Sequence, residues 1–204
     1  MGLLSATTSL TRYRVEGELD EPLIESVYQG LKQHSITDID ENPSDQAVGW
    51  TAFQNPYQNG LNGADVLFGT DFVFALRIDK KSIPAKMVQK HIALESENRL
   101  KELGREFLSP NEKRAIKDYV LNKLHLKMPS TPSVYDVVWQ YEKHNLWFFS
   151  NLKGANEELE TLFIKSFGLS LTRCIPYTMA ALDKKMTSEQ LDALSRLSAD
   201  KDRG

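Results

Sequence analysis

Between Ser82 and Lys127 the apolar residues recur at three- and four-residue steps: Ala85, Val88, Ile92, Leu100 and Leu103 first, then Ile116, Tyr119, Val120 and Leu124. That period predicts two amphipathic helices, each with one face for packing. Their ends are marked as well. Pro84 suits a first helical turn, Gly104 can end the first helix, and Ser109-Pro110-Asn111-Glu112 opens the second as a capping box with proline behind the cap. Arg114, two positions before Ile116, falls roughly opposite the second stripe. The stretch 82–128 is therefore expected to be a two-helix hairpin.

Elsewhere the period shortens to two. Leu3 to Val15 begins apolar and then sets Leu10, Arg12 and Arg14 against Tyr13 and Val15, as a strand with one buried side does. A short helix from Pro22 follows, with Leu23, Val27, Tyr28 and Leu31 on its buried face. The polar loop 37–46 leads into a strand over Ala47–Phe53, where Gly49 marks a bulge or close contact and Trp50 belongs to the core. Turn signals at Asn55–Gly60 and Asn62-Gly63 separate it from strands at 64–68 and 72–78, joined by Gly69-Thr70-Asp71. Past Pro129 and Pro132, Tyr135, Val137, Trp139 and Tyr141 alternate with Val134, Asp136, Val138 and Gln140. A strand at 146–149, a helix over 157–167 closed by Gly168, a strand at 169–175 and a last helix from Thr187 with Leu191, Leu194 and Leu197 complete the chain.

These elements predict an α+β fold, an antiparallel sheet with the long two-helix hairpin inserted between strands. At 204 residues, 41% of them hydrophobic, the chain can bury a core without a second domain. A single region over 1–204 is expected, subdivided into a sheet-based part, 1–81 with 129–182, and the hairpin 82–128, with a helix and tail at 183–204. One cysteine, Cys174, excludes an internal disulfide, and neither a signal segment nor an apolar run long enough to span a bilayer is visible. A cytoplasmic protein without a membrane partner is the expectation.

Charge is distributed unevenly. Lys80 to Lys127 holds 12 Lys or Arg and 6 Asp or Glu, against 13 and 22 in the remainder, so a net cationic hairpin sits in an acidic chain of net charge −3. A polyanion would meet that segment, although mixed Lys and Glu also describe an ordinary solvated helix face. No phosphate loop, dinucleotide fingerprint or serine elbow occurs, and no cofactor is implied. His91 and Glu95, four apart, are too few for a metal site on their own. Asp65, Asp79 and Lys81 form the one catalytic alternative. Two carboxylates across a strand and a lysine are the set a Mg²⁺-dependent exonuclease uses to hold metal and support the attacking water.

Several of these segments together carry a resemblance: Val48-Gly49-Trp50, the strand Phe72–Ile78, Lys80-Lys81-Ser82-Ile83-Pro84 with Val88, the helix from Asn111 to Leu126, and Val137-Val138-Trp139 followed by Leu146–Phe149. In this order the chain resembles the recombination-associated protein RdgC family, over roughly Leu4 to Thr178 and the first two thirds of a typical member. The resemblance implies non-catalytic, sequence-independent binding of double-stranded DNA by a nucleoid-associated homodimer that closes a ring and restrains recombinase filaments. Members have been labelled exonucleases, but the resemblance brings no catalytic motif. Where the family carries basic and aromatic residues engaged at ring closure, this chain has Met128-Pro129-Ser130-Thr131-Pro132-Ser133-Val134, a departure from the pattern. The cations assigned to DNA are Lys81, Lys86, Lys90, Lys113, Arg114 and Lys117. A protein-interaction module without DNA binding, associating through Leu191, Leu194 and Leu197, is the remaining alternative.

Overall fold

The computed structural model describes residues 2–59, 61, 66–182 and 186–196. Strand β1 (Thr11–Glu16) shows the expected alternation, with Tyr13 and Val15 buried and Arg12 and Arg14 exposed. It starts later than the apolar run suggested, because Ser5 closes a turn on Gly2 and Asp136 accepts from the Leu3 amide. Then come α1 (Leu23–Gln33), β2 (Gln46–Thr51), β3 (Leu67–Phe68), β4 (Asp71–Lys80), α2 (Ala85–Leu103) and α3 (Pro110–His125). The rest of the chain is β5 (Thr131–Gln140), a 3-10 turn at Tyr141–Lys143, β6 (Asn145–Phe148), α4 (Lys153–Phe167), β7 (Ser170–Arg173), α5 (Pro176–Leu182) and α6 (Ser188–Ser195). The fold is α+β, and its named strand pairs are antiparallel.

Two units divide the chain, each made of discontinuous segments. The first holds Met1–Gln33, Asp65–Phe74 and Tyr135–Gly204. In it β6 lies between β5 and β1, and β7 extends the far side of β1. Trp139, fully buried, is ringed by Phe72, Tyr141, Phe163 and Phe167 at centroid distances of 5.0–5.8 Å, the aromatic centre of this core. Helices α1 and α4 pack so closely that a Cβ on Gly30 would meet the Ser166 carbonyl oxygen at 2.6 Å. The buried Tyr13 hydroxyl sits 2.7 Å from Asn156 Oδ1 and 2.8 Å from Glu160 Oε1. Burial, and next the Glu160 carboxylate, push its pKa up, so the phenol stays protonated.

The second unit holds His34–Ala64 and Ala75–Val134. The hairpin is thus not a unit by itself, since β2 and the end of β4 belong with it. Gly49 marks a close approach: a Cβ there would lie 2.4 Å from the Ile36 backbone, where the chain bridges to Trp50. Trp50 is fully buried, and its amide donates to the His34 carbonyl. Helices α2 and α3 pack through buried Leu108, Ile116, Val120 and Leu124 against half-buried Ile83, Val88, Ile92 and Leu100. Gly104 ends α2 in the left-handed conformation at φ 61°, and the Ser109–Glu112 capping box is complete. Tyr119, expected on the buried stripe, is half exposed.

Candidate nucleic-acid interface

Strand alternation puts Arg77, Asp79 and Lys81 on one side at the end of β4, and all three are buried, at 8%, 0% and 4% exposure. Buried charges need partners, and here each has a full set. Arg77 forks onto Asp79, with Nε to Oδ1 at 2.7 Å and Nη2 to Oδ2 at 2.6 Å, and its Nη1 reaches the Tyr57 carbonyl at 3.1 Å. Lys81 donates to the carbonyls of Asp40, Asn42 and His125 at 3.2, 2.8 and 2.6 Å. An ammonium has three hydrogens, and three carbonyls take them.

This geometry corrects one expectation and bears on a second. Lys81 is a clamp joining the 40–42 loop and the C-terminal turn of α3 to β4, so its ammonium faces the protein and not a phosphate. It leaves the DNA-binding set. Of the exonuclease set, both Asp79 oxygens accept from Arg77 and the Lys81 ammonium is fully engaged, while Asp65 lies outside the described residues. The Asp79 carboxylate is closed to solvent at 0% exposure, and Lys81 has no hydrogen left to offer an attacking water. His91 and Glu95 share a side of α2, but no third His, Cys, Asp or Glu completes a metal-holding group among the described residues.

The other five cations differ. Lys86, Lys90, Lys113, Arg114 and Lys117 are exposed, and among the described residues none makes an ion pair. The hairpin's remaining acid–base pairs are Arg99–Glu102, Lys101–Glu97 and Arg105–Glu112, all on the surface. The five fall in two groups. One hollow is lined by residues 91–98 of α2 with 120–127, and the other by Glu95 and Arg99 with residues 112–119 of α3, so α2 and α3 run antiparallel and their first turns are at opposite ends. At about 1.5 Å per residue the groups stand roughly 20 Å apart along the pair. At roughly 100° per residue, Arg114 and Lys117 fall on the opposite side of α3 from Tyr119.

The Tyr119 side carries a feature not expected from the sequence. A groove runs between the helices, as two adjoining hollows of about 250 and 210 Å³ that share Glu95. Its apolar walls include Leu94, Ile116, Tyr119 and Val120, and its rim includes Arg99, Glu112, Lys123 and Lys127. The available signal was Leu94, an apolar residue off the first stripe, with Tyr119 at the edge of the second.

No protein-family model matches the chain, and a search of curated proteins found no match. Among the described residues, no helix is long and apolar enough to cross a membrane. In α6, the helix expected to serve association in the interaction-module alternative, the Thr187 capping box is formed and Leu194 is half-buried, whereas Leu197 and the side chain of Leu191 lie outside what the structure describes.

Proposed function

We propose that the chain binds double-stranded DNA without sequence preference and without catalysis, through Lys86, Lys90, Lys113, Arg114 and Lys117. The carrying observation is that these five cations are exposed and make no ion pair among the described residues, while Arg99, Lys101 and Arg105 are each paired with a glutamate. An unpaired surface cation can release a condensed counterion from a phosphate without first giving up a protein partner. Helix side chains that meet phosphates fix position and carry no base information, which suits sequence-independent binding. The resemblance to the RdgC family supports the same reading and adds its context, control of recombination at the nucleoid by a homodimer. The exonuclease is the weaker reading, because Asp79 and Lys81 are engaged inside the protein.

Labelled duplex incubated with the protein, with and without Mg²⁺, tests the proposal. Retarded, intact DNA of any sequence is the expected result. Shortened DNA in Mg²⁺ would show a nuclease, and unretarded DNA at low salt would remove DNA binding altogether.

A further inference from the structure

The charges lining the groove between α2 and α3 are not alike. Glu112 is engaged by the Ser109 amide and by Arg105, and Arg99 is engaged by Glu102. Glu95, Lys123 and Lys127 make no ion pair among the described residues. Glu95 is half-buried and lines both hollows, so an unpaired carboxylate stands at mid-groove, level with Tyr119 and Val120. Covering such a carboxylate is costly unless the covering surface brings a cation to it. Lys123 holds its ammonium over the Tyr119 ring, 5.4 Å from the centroid, and Lys127 lies one turn further on. The free charge of the groove therefore runs from negative at its middle to positive at the C-terminal end of α3. Between these charges the chain leaves Leu94 and Tyr119 open, at 49% and 51% exposure. Exposed apolar surface rimmed by charge is the mark of a protein-binding face.

These features select the occupant. A nucleic acid would set its phosphates against Glu95. An extended peptide would have its backbone N–H and C=O groups covered by helix side chains that offer them no ladder. A helix satisfies its own backbone, and the valley between two antiparallel helices seats a third one through residues three, four and seven apart. The lining runs from Glu112 to Lys127 along α3, about 22 Å, which a helix of about four turns would fill. We propose that the groove is the docking site for an amphipathic helix of a partner protein. That helix carries an apolar stripe toward Leu94, Ile116, Tyr119 and Val120, and a lysine or arginine at mid-length against Glu95. Acidic residues about one and two turns beyond that cation meet Lys123 and Lys127, which stand roughly 6 and 12 Å past Tyr119 along α3. The cations assigned to DNA on α3, Arg114 and Lys117, stay on the other side, so this inference does not rest on DNA binding.

The probe is a fluorescein-labelled, stapled helical peptide with leucines on one stripe, a central arginine, glutamates toward one end, and alanine and glutamine elsewhere. A second peptide has its basic and acidic residues exchanged. Titrated with the full chain and followed by fluorescence anisotropy, the first should bind in the micromolar range and the second about tenfold more weakly. Glu95→Lys should reverse that preference. Leu94→Ala with Tyr119→Ala should weaken both peptides by about tenfold while leaving the circular dichroism of the protein unchanged. Should that pair of changes unfold the protein, Lys127→Glu, on the exposed rim, should still weaken the first peptide several-fold and spare the second. Asp118→Lys, exposed and roughly opposite Ile116 on α3, should leave both affinities in place. Absence of binding up to a few hundred micromolar, equal affinity for the two peptides, an equal effect of Asp118→Lys and Glu95→Lys, or displacement of the peptide by duplex DNA would each overturn the assignment.

Discussion

Removing the Asp79 carboxylate leaves the Arg77 guanidinium buried with two of its donors facing nothing, which is worse than having no charge at all. Asp79→Ala should therefore cost about 3–5 kcal/mol in denaturant unfolding, and replacing Arg77 and Asp79 together by apolar residues should cost less than Asp79→Ala alone. Lys81→Met keeps the stem and strands three carbonyls, so a loss of about 2–4 kcal/mol is expected, with no direct effect on DNA contacts. Nearby, Asp40 accepts from the Ser130 hydroxyl and amide, both at 2.7 Å, and these bonds hold its carboxyl below its ordinary value of 3.8. A depressed carboxylate stabilises the fold above its unfolded pKa, and that stabilisation disappears as pH falls through the folded value. Ser130→Ala should accordingly be less stable than the parent at neutral pH, with the gap in melting temperature closing as the solution is acidified. None of this row was legible in the sequence. Arg77-Ile78-Asp79-Lys80-Lys81 reads as a polar strand exit or a metal-binding set, because the groups that hold Lys81 are carbonyls of residues 40, 42 and 125, and no side-chain pattern marks a carbonyl.

Among the elements, α3 follows its local sequence most closely, because its signals are local. Ser109 caps the Glu112 amide and Glu112 returns a bond to the Ser109 amide, so Ser109→Ala should cost about 1 kcal/mol. Val120→Ala or Leu124→Ala should each cost roughly 2–4 kcal/mol, whereas the exposed Arg114→Ala should leave the unfolding midpoint nearly in place. The strands were legible where burial is one-sided, as in β1, and Gly49 announced its close contact. Tyr119 was placed on the wrong side of the stripe: a period of three or four admits a residue at either edge, and only the partner helix decides which edge is covered. Helix α4 begins at Lys153, four residues before the expected Glu157, because its N-cap Leu152 makes no side-chain capping bond that a sequence would announce. Helix α5, opening at Pro176 with no acidic residue in its first turn, was not expected.

For the whole molecule, the division into two units was not legible, since no linker separates them and β4 and β5 each contribute residues to both. The cationic segment was legible by counting, but counting could not tell Lys81 from its neighbours, and with it withdrawn five cations remain for a nucleic acid. Nonspecific binding releases about 0.9 counterion per neutralised phosphate, so five contacts predict that log K falls against log salt with a slope near −4 to −5. Changing Lys113, Arg114 and Lys117 together to Ala removes the group at one end of the hairpin and leaves Lys86 and Lys90. The slope should then flatten to about −2, with affinity lost at low salt and no dependence on base sequence. Lys81→Met supplies the contrast: at a temperature where it remains folded, it should keep the parent slope, because its ammonium faces carbonyls. All three substituted side chains are exposed, so melting temperature should hardly move in the triple variant and a loss of binding could not be assigned to unfolding. An unchanged slope in the triple variant would mean that these side chains never meet phosphate, and that the cationic face of α2 and α3 is only solvated surface.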